Sequence, residues 1–336
     1  MPEITFDQAR EFLDNITSED RVAIIHHDDA DGFCSGILYY DWGKIKGAKI
    51  EQFDFSFGKW DKHIDLKPFN KIIITDIAPD GIEEINPPTD KEILCADHHP
   101  QDKPIPKEIL ELVTVDQGYI PSSRTAGELT GLKPWLSLLG SISDAAYLYP
   151  ENQEFIDKHL KEIGMTLDEF KQNVTSIVTN FLIYFNKDTN KAFEILEGIN
   201  SIEEIDKLKT QSEPVENEIQ KFVEEYETKK ERLNDINFYY FEPKFSIKGI
   251  VANIISTKTN EEAFIFATPQ KETNKITISA RTQNDKRDLR EILKAGVEGL
   301  EESNTGGHKR AVGGILKAED IDKFKKNIRN FVEHKS

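Results

Sequence analysis

The sequence predicts an α/β protein: an N-terminal, mostly parallel sheet with helices on both faces, a helical connector, and a smaller C-terminal α/β domain. Short apolar runs recur at RVAIIHH, AKIEQFDF, KIIITD, KEILCAD and LVTVD, each bounded by charged or Gly- and Pro-containing segments. Past residue 236 the composition shifts toward β-branched and aromatic residues. At 336 residues the chain also exceeds one typical domain. The expected divisions are 1–150, 151–235 and 236–336.

The elements follow in order. TFDQAREFLDNI, residues 5–16, has apolar positions at helical spacing. RVAIIHH reads as a buried strand, DDADG as a loop and FCSGILYYDWGKI as the helix after it. TAGELTGLKPWLSLLGSISDAAYLY reads as two helices broken near Gly131 and Pro134, with Asp144 on or just past the apolar stripe of the second. Residues 151–235 are helical and highly charged, most clearly at VENEIQKFVEEYETKKERL, and read as a solvated connector. INFYYFEP, GIVANIIS, EAFIFATP and KITISART have strand composition. RDLREILKAG is a helix, NTGGHKRAVGG a glycine-rich segment and EDIDKFKKNIRNFVEH a closing helix.

Charge narrows the function classes. Lysine and arginine total 43 against 61 acidic residues, a net charge of −18. Long-duplex binders neutralise many phosphates with basic side chains, so that mode is disfavoured. A short nucleotide, a brief oligomer or a strand end held locally by metals and a few arginines remains. No run reaches the roughly 18 apolar residues of a spanning helix. The N-terminus MPEITFDQAREFLD is acidic where a signal peptide is basic and then apolar, so a cytoplasmic protein without membrane association is expected. Cys34 and Cys95 lie in apolar runs and read as buried thiols, with no disulfide framework.

In HDDADG, His27, Asp29 and Asp31 stand two apart, so at an extended strand end their side chains project to one side. Clustered carboxylates need a cation, and oxygen plus imidazole donors suit manganese, zinc or magnesium. Asp97, His98 and His99 follow another apolar run, a grouping able to supply a ligand, an orienting carboxylate and a proton donor. Asp76 ends KIIITD; by itself it could equally be a cap. Five of the eight histidines fall in three clusters, His26 with His27, His98 with His99, and His308. Such a set suits two metal ions about 3.5–4 Å apart acting on a phosphate ester, with water as nucleophile.

HDDADG, then TD, DHH and GSISD, with a distant GGHKRAVGG, resembles the DHH phosphoesterase superfamily in content and order over nearly the whole chain. The resemblance implies a DHH metal domain followed by a DHH-associated domain that grips substrate, with RecJ-like and nanoRNase-like members nearest in kind. The HxDxDG form of the first motif looks most like archaeal relatives. It implies one metal on His27, Asp29 and Asp76, and another on Asp31, Asp76, His98 and Asp144, with Asp76 bridging. Asp97 would orient His98, and His99 would contact the scissile phosphate or protonate the leaving oxygen. Spacing alone favours Asp116 as the last ligand; the family's placement after a small apolar run favours Asp144. In the C-terminal domain, Arg281, Gly306, Gly307 and His308 match substrate-binding positions, where glycine allows close approach to phosphate and arginine offers a fork. Lys309 and Arg310 add local positive charge, and Arg124 either reaches the same cleft or serves the surface.

The expected activity is two-metal-dependent hydrolysis of short RNA or DNA or of single-strand ends, with manganese first and magnesium or zinc also compatible. The alternative is a phosphatase or phosphodiesterase acting on a nucleotide 3′-phosphate or a cyclic dinucleotide. A family II pyrophosphatase is disfavoured by the spacing of the first motif and the GGH segment. A scaffold that has lost its ligands is disfavoured because every expected ligand is present. Association with further copies of the chain, strand direction and RNA against DNA are left open.

Overall fold

The computed structural model describes residues 4–100, 104, 106–113, 119–259, 262–270 and 273–335. The chain divides into two compact units, Met1–Ser212 and Glu213–Ser336.

The first unit runs α1 (Phe6–Asp14), β1 (Arg21–His27), α2 (Ala30–Ile45), β2 (Lys49–Phe55), β3 (Lys71–Thr75), α3 (Pro79–Ile85), β4 (Glu92–Asp97), β5 (Ile109–Val113), α4 (Ser122–Thr130) and α5 (Pro134–Ser143). It continues with α6 (Gln153–Ile163), α7 (Leu167–Phe170), α8 (Ser176–Tyr184) and α9 (Thr189–Glu197). The five strands form a wholly parallel sheet in the order β2-β1-β3-β4-β5. Strands covered on both faces read as unbroken apolar runs, which is why β1, β3 and β4 stand out in the sequence. Alternation along β1 sends Val22 and Ile24 into one core and Ala23 and Ile25 into another. The first core continues through α6, α8 and α9 as far as Leu208, so much of the charged 151–208 stretch presents one apolar stripe to the same interior.

The division between the units falls inside α10 (Lys209–Lys229). The second unit then runs β6 (Glu231–Leu233), β7 (Ile236–Tyr240), α11 (Lys248–Ser256), β8 (Ala263–Gln270), β9 (Lys275–Thr282), α12 (Leu289–Gly296), β10 (Asn304–His308), β11 (Ala311–Lys317) and α13 (Ile321–Lys335). Its mixed six-stranded sheet has the order β10-β11-β9-β8-β7-β6. GIVANIIS, expected as a strand from its composition, is the helix α11. β7 and β8 pair in parallel, and parallel neighbours need a crossover connection. Val251, Ala252 and Ile255 supply the buried face that holds that crossover, outweighing local β propensity. The glycine-rich segment NTGGHKRAVGG is mostly the antiparallel hairpin β10–β11.

Candidate metal centre

β1, β3 and β4 lie side by side and deliver His27, Asp76 and the Asp97–His99 run to one edge of the sheet. β2 and β3 flank β1 on opposite sides, and carboxyl ends beside such a reversal of strand order form a crevice. Asp76 takes φ 61°, a left-handed conformation that aspartate tolerates better than most side-chain-bearing residues. Its backbone N–H donates to the Ala96 carbonyl at 3.1 Å, tying the turn to β4.

The HDDADG segment departs from the extended geometry its spacing predicts. Asp29 is the N-cap of α2, its Oδ1 accepting from the Gly32 N–H at 3.0 Å, so the helix begins at Ala30 and Asp31 lies in its first turn. A Cβ on Gly32 would sit 2.4 Å from the His27 carbonyl oxygen, so glycine permits the helix to start pressed against β1. Convergence of His27, Asp29 and Asp31 thus comes from a strand end meeting a helix start.

The carboxylate of Asp76 occupies the middle of the cluster. Its Oδ1 lies 3.0 Å from His98 Nε2, and its Oδ2 lies 3.7 Å from His27 Nδ1. His27 Nδ1 is 3.0 Å from Asp29 Oδ2. His98 Nε2 is 3.6 Å from Asp144 Oδ2 and 4.0 Å from Asp31 Oδ2. Two donor groups result, His27 with Asp29 and Asp76, and Asp31 with His98 and Asp144, and a third joins Asp76, His98 and His99. Asp144 is the C-cap of α5. Asp116, the alternative last ligand, lies outside the described residues.

Neighbouring groups hold this cluster in place, and three of them escaped the sequence reading. The backbone N–H groups of Ser122 and Ser123, opening α4, donate to the two oxygens of Asp31 at 2.8 and 3.1 Å. The Tyr119 hydroxyl hydrogen-bonds Asp144, and its ring stands edge-on to His98 with centroids 4.7 Å apart. No spacing rule connects these residues to the motifs. Arg124 is committed elsewhere: it bonds Glu128, the Glu151 carbonyl and Asn152 and packs over Phe155. His26 points away from the cluster, its ring against Phe33 and Phe193 and its Nε2 3.0 Å from Gln52.

Asp97 pairs with His99 instead of the expected His98. Its Oδ1 lies 2.7 Å from His99 Nδ1. β4 ends at Asp97, and beyond it the rings of His98 and His99 lie side by side with centroids 4.5 Å apart.

Electrostatics bear directly on whether metal suits this set. Burial, with Asp144 and Asp29 nearby, pushes Asp31 up to about 8. Burial raises Asp144 to about 6 against the opposing hydrogen bond from Tyr119, and burial beside three carboxylates raises Asp76 well above the usual range. Burial lowers His98 to about 4, favouring the neutral imidazole that a metal requires. Asp29 goes the other way: burial opposes ionisation, but His27 and the Gly32 N–H hold it below the ordinary carboxylate range. Among the described residues, the buried oxygens Asp76 Oδ2 and Asp144 Oδ2 accept no hydrogen bond. Four carboxylates and three imidazoles crowded together form a donor set that divalent ions fit.

In the second unit, strand register aligns Arg281 of β9 with Ala311 of β11, and Ala311 with His308 of β10. Directly paired residues face the same side of a sheet, so Arg281 and His308 share a face. Gly306 has open space where a Cβ would be, whereas at Gly307, with φ 139°, a Cβ would come within 2.5 Å of the Ala311 carbonyl oxygen. Arg281 is half-buried and its guanidinium meets the Ala280 carbonyl at 3.1 Å. Burial and the nearby Arg281 lower Lys248, the first residue of α11, to about 8. Neither cation has an acidic partner among the described residues.

Residues 240–334 match the DHHA1 domain family. The fold is similar to that of RecJ in complex with Mn2+ from Thermus thermophilus, at 16% identity and a TM-score of 0.71, over 99% of this chain and 55% of that one. The chain therefore spans little more than half the length of that protein. It is also similar to exonuclease RecJ bound to manganese, at 16% identity and a TM-score of 0.68, covering 98% and 95% of the two chains. A third likeness is to the pGpG-specific phosphodiesterase PggH from Vibrio cholerae, at 15% identity and a TM-score of 0.52, covering 94% and 100%. No curated protein matches the chain by sequence. A parallel-sheet unit with a carboxylate and histidine cluster, followed by a DHHA1 domain, is the organisation of this chain. Residues 240–334 are thus a DHHA1 domain, and the whole chain shares its fold with RecJ. Among the described residues no helix is long and apolar enough to cross a membrane.

Proposed function

We propose that the chain is a metal-dependent phosphodiesterase of short oligonucleotides or single-strand ends. The observation that carries this reading is the position of Asp76, with one carboxylate oxygen toward His98 and the other toward His27. In this reading His27, Asp29 and Asp76 hold one divalent ion, and Asp31, Asp76, His98 and Asp144 hold a second. Two such ions would supply positive charge against the phosphate ester and would acidify a water, with manganese the first candidate and magnesium or zinc compatible.

The chain's own residues complete the chemistry. Asp97 raises the pKa of His99, so the imidazole carries a proton to donate toward a leaving oxygen. Ser122 and Ser123 fix Asp31, and Tyr119 fixes Asp144, so the ligands need little reorganisation. In the second unit, Arg281 with Gly306, Gly307 and His308 would take a substrate phosphate. The net charge of −18 favours short substrates over long duplexes. The shared fold with a pGpG-specific phosphodiesterase supports a second reading, in which a small nucleotide is the substrate.

Incubating the protein and its Asp76→Asn variant with manganese and end-labelled RNA and DNA of two to about twenty nucleotides, alongside pGpG and a nucleotide 3′-phosphate, tests both readings. Stepwise mononucleotide release by the parent protein alone supports the nuclease. Cleavage of the small nucleotides alone supports the second reading. No turnover, or equal turnover by the variant, overturns both.

A further inference from the structure

The ring contacts of the metal cluster do not stop at Tyr119. Its outer neighbour is Tyr149, whose ring lies nearly parallel to it, with centroids 4.5 Å apart and an interplanar angle of 18°. Tyr119 is engaged on two sides, by the Asp144 carboxylate at its hydroxyl and by His98 at its ring. Tyr149 is more open. It is 39% exposed, and its backbone is held by bonds to the Ala146 carbonyl and from the Asn152 N–H. The preceding Leu148 is 69% exposed, so the apolar surface continues beside the ring. Tyr149 therefore presents an aromatic ring, partly open to solvent, one ring out from the carboxylate and histidine cluster.

We propose that Tyr149 is a stacking platform for a nucleobase of the substrate, built outward from the metal cluster through Tyr119. The inference rests on the phosphodiesterase reading and makes it more specific, since it requires a base-bearing substrate. A base offers a π face of the ring's own dimensions and stacks without demanding a hydrogen-bond pattern, so such a platform tolerates any base. The aromatic face is the functional part, and the hydroxyl is dispensable. The platform supplies affinity that does not depend on neutralising phosphates, which suits a chain of strongly negative charge.

The test uses the full chain with manganese and two short oligonucleotides, identical except that the terminal nucleotide carries either a base or an abasic ring. One stacked base predicts a preference in kcat/KM of roughly five- to fiftyfold for the base-bearing substrate. Tyr149→Ala should collapse that ratio toward one, and Tyr149→Phe should retain it. A ratio the same in Tyr149→Ala as in the parent overturns the platform. Binding of a 2-aminopurine oligonucleotide to the Asp76→Asn protein gives an independent reading, because stacking quenches the probe. Quenching that Tyr149→Ala abolishes supports the platform even if no turnover is seen, in which case only the hydrolase reading fails. Quenching that survives in that variant overturns it.

Discussion

The Asp97 carboxylate and the His99 imidazole form a hydrogen-bonded pair of 2.7 Å, with the carboxylate buried and the ring partly open to solvent. The pair holds His99 by its Nδ1, while His98 turns its own Nε2 into the carboxylate cluster. The two adjacent histidines thus have separate carboxylate partners, Asp76 for His98 and Asp97 for His99. Asp97→Asn should lower kcat by about ten- to a hundredfold while both metal ions remain, a pattern that metal analysis beside steady-state kinetics would read. The hydrogen bond from Asp97 raises the pKa of His99. If His99 donates the proton, activity falls as pH rises through that pKa, and the variant's alkaline limb should move to lower pH.

Asp76 permits a cleaner test than most ligands. Its left-handed backbone is one that asparagine also adopts readily, so Asp76→Asn removes charge without adding backbone strain. A bridging role for Asp76 would predict loss of both ions and of at least about a hundredfold in activity, with the folded far-UV spectrum retained. Loss of one ion alone would contradict the bridge. Asp144→Asn, at the edge of the cluster, should instead weaken one ion.

The strand ends were legible because parallel strands buried on both faces read as continuous apolar runs, so His27, Asp76 and Asp97 announce themselves as polar residues closing each run. Local geometry was less legible. Asp31 follows a spacing that fits an extended chain, yet Asp29 caps a helix there because its carboxylate reaches the Gly32 N–H. GIVANIIS has the composition of a strand and the topology of a crossover, and topology prevailed. Tyr119, Ser122 and Ser123 reach the cluster only through the folding of separate segments against it. Their hydrogen bonds to Asp144 and Asp31 leave no periodic trace in the sequence.

Metal removal should invert the pH dependence of stability in the first unit. Asp31 and Asp144 have folded pKa values of about 8 and about 6, above the ordinary value of 3.8, and Asp76 is also raised well above it. Groups raised on folding contribute stability that is full below the unfolded pKa and is lost as pH rises through the folded one. In chelator, the melting temperature should therefore fall from about pH 4 to about 8. If manganese binds the ionised carboxylates it displaces their protons, and its stabilising effect should then grow over the same interval. A manganese shift in melting temperature that is constant across pH would show that these carboxylates do not bind the ion.

Lys248 sets a different pH dependence, in the second unit. Among the described residues it has no acidic partner, and burial together with Arg281 lowers it to about 8. A lysine depressed on folding costs stability while it is charged, below about pH 8, and the cost is relieved as pH rises toward its unfolded pKa. Two cations kept together at such a cost suit an anion that pairs with both. Lys248→Met should therefore raise the melting temperature at about pH 7 while weakening binding of inorganic phosphate or a phosphorylated oligonucleotide. In the parent protein phosphate affinity should decline as pH passes about 8, and in Lys248→Arg, whose guanidinium stays charged, that decline should vanish. Calorimetric titration at about pH 7 and about pH 9 on the three proteins separates the two effects. If Lys248→Met left affinity unchanged at neutral pH, the lysine would be a tolerated burial and Arg281 alone would carry the phosphate.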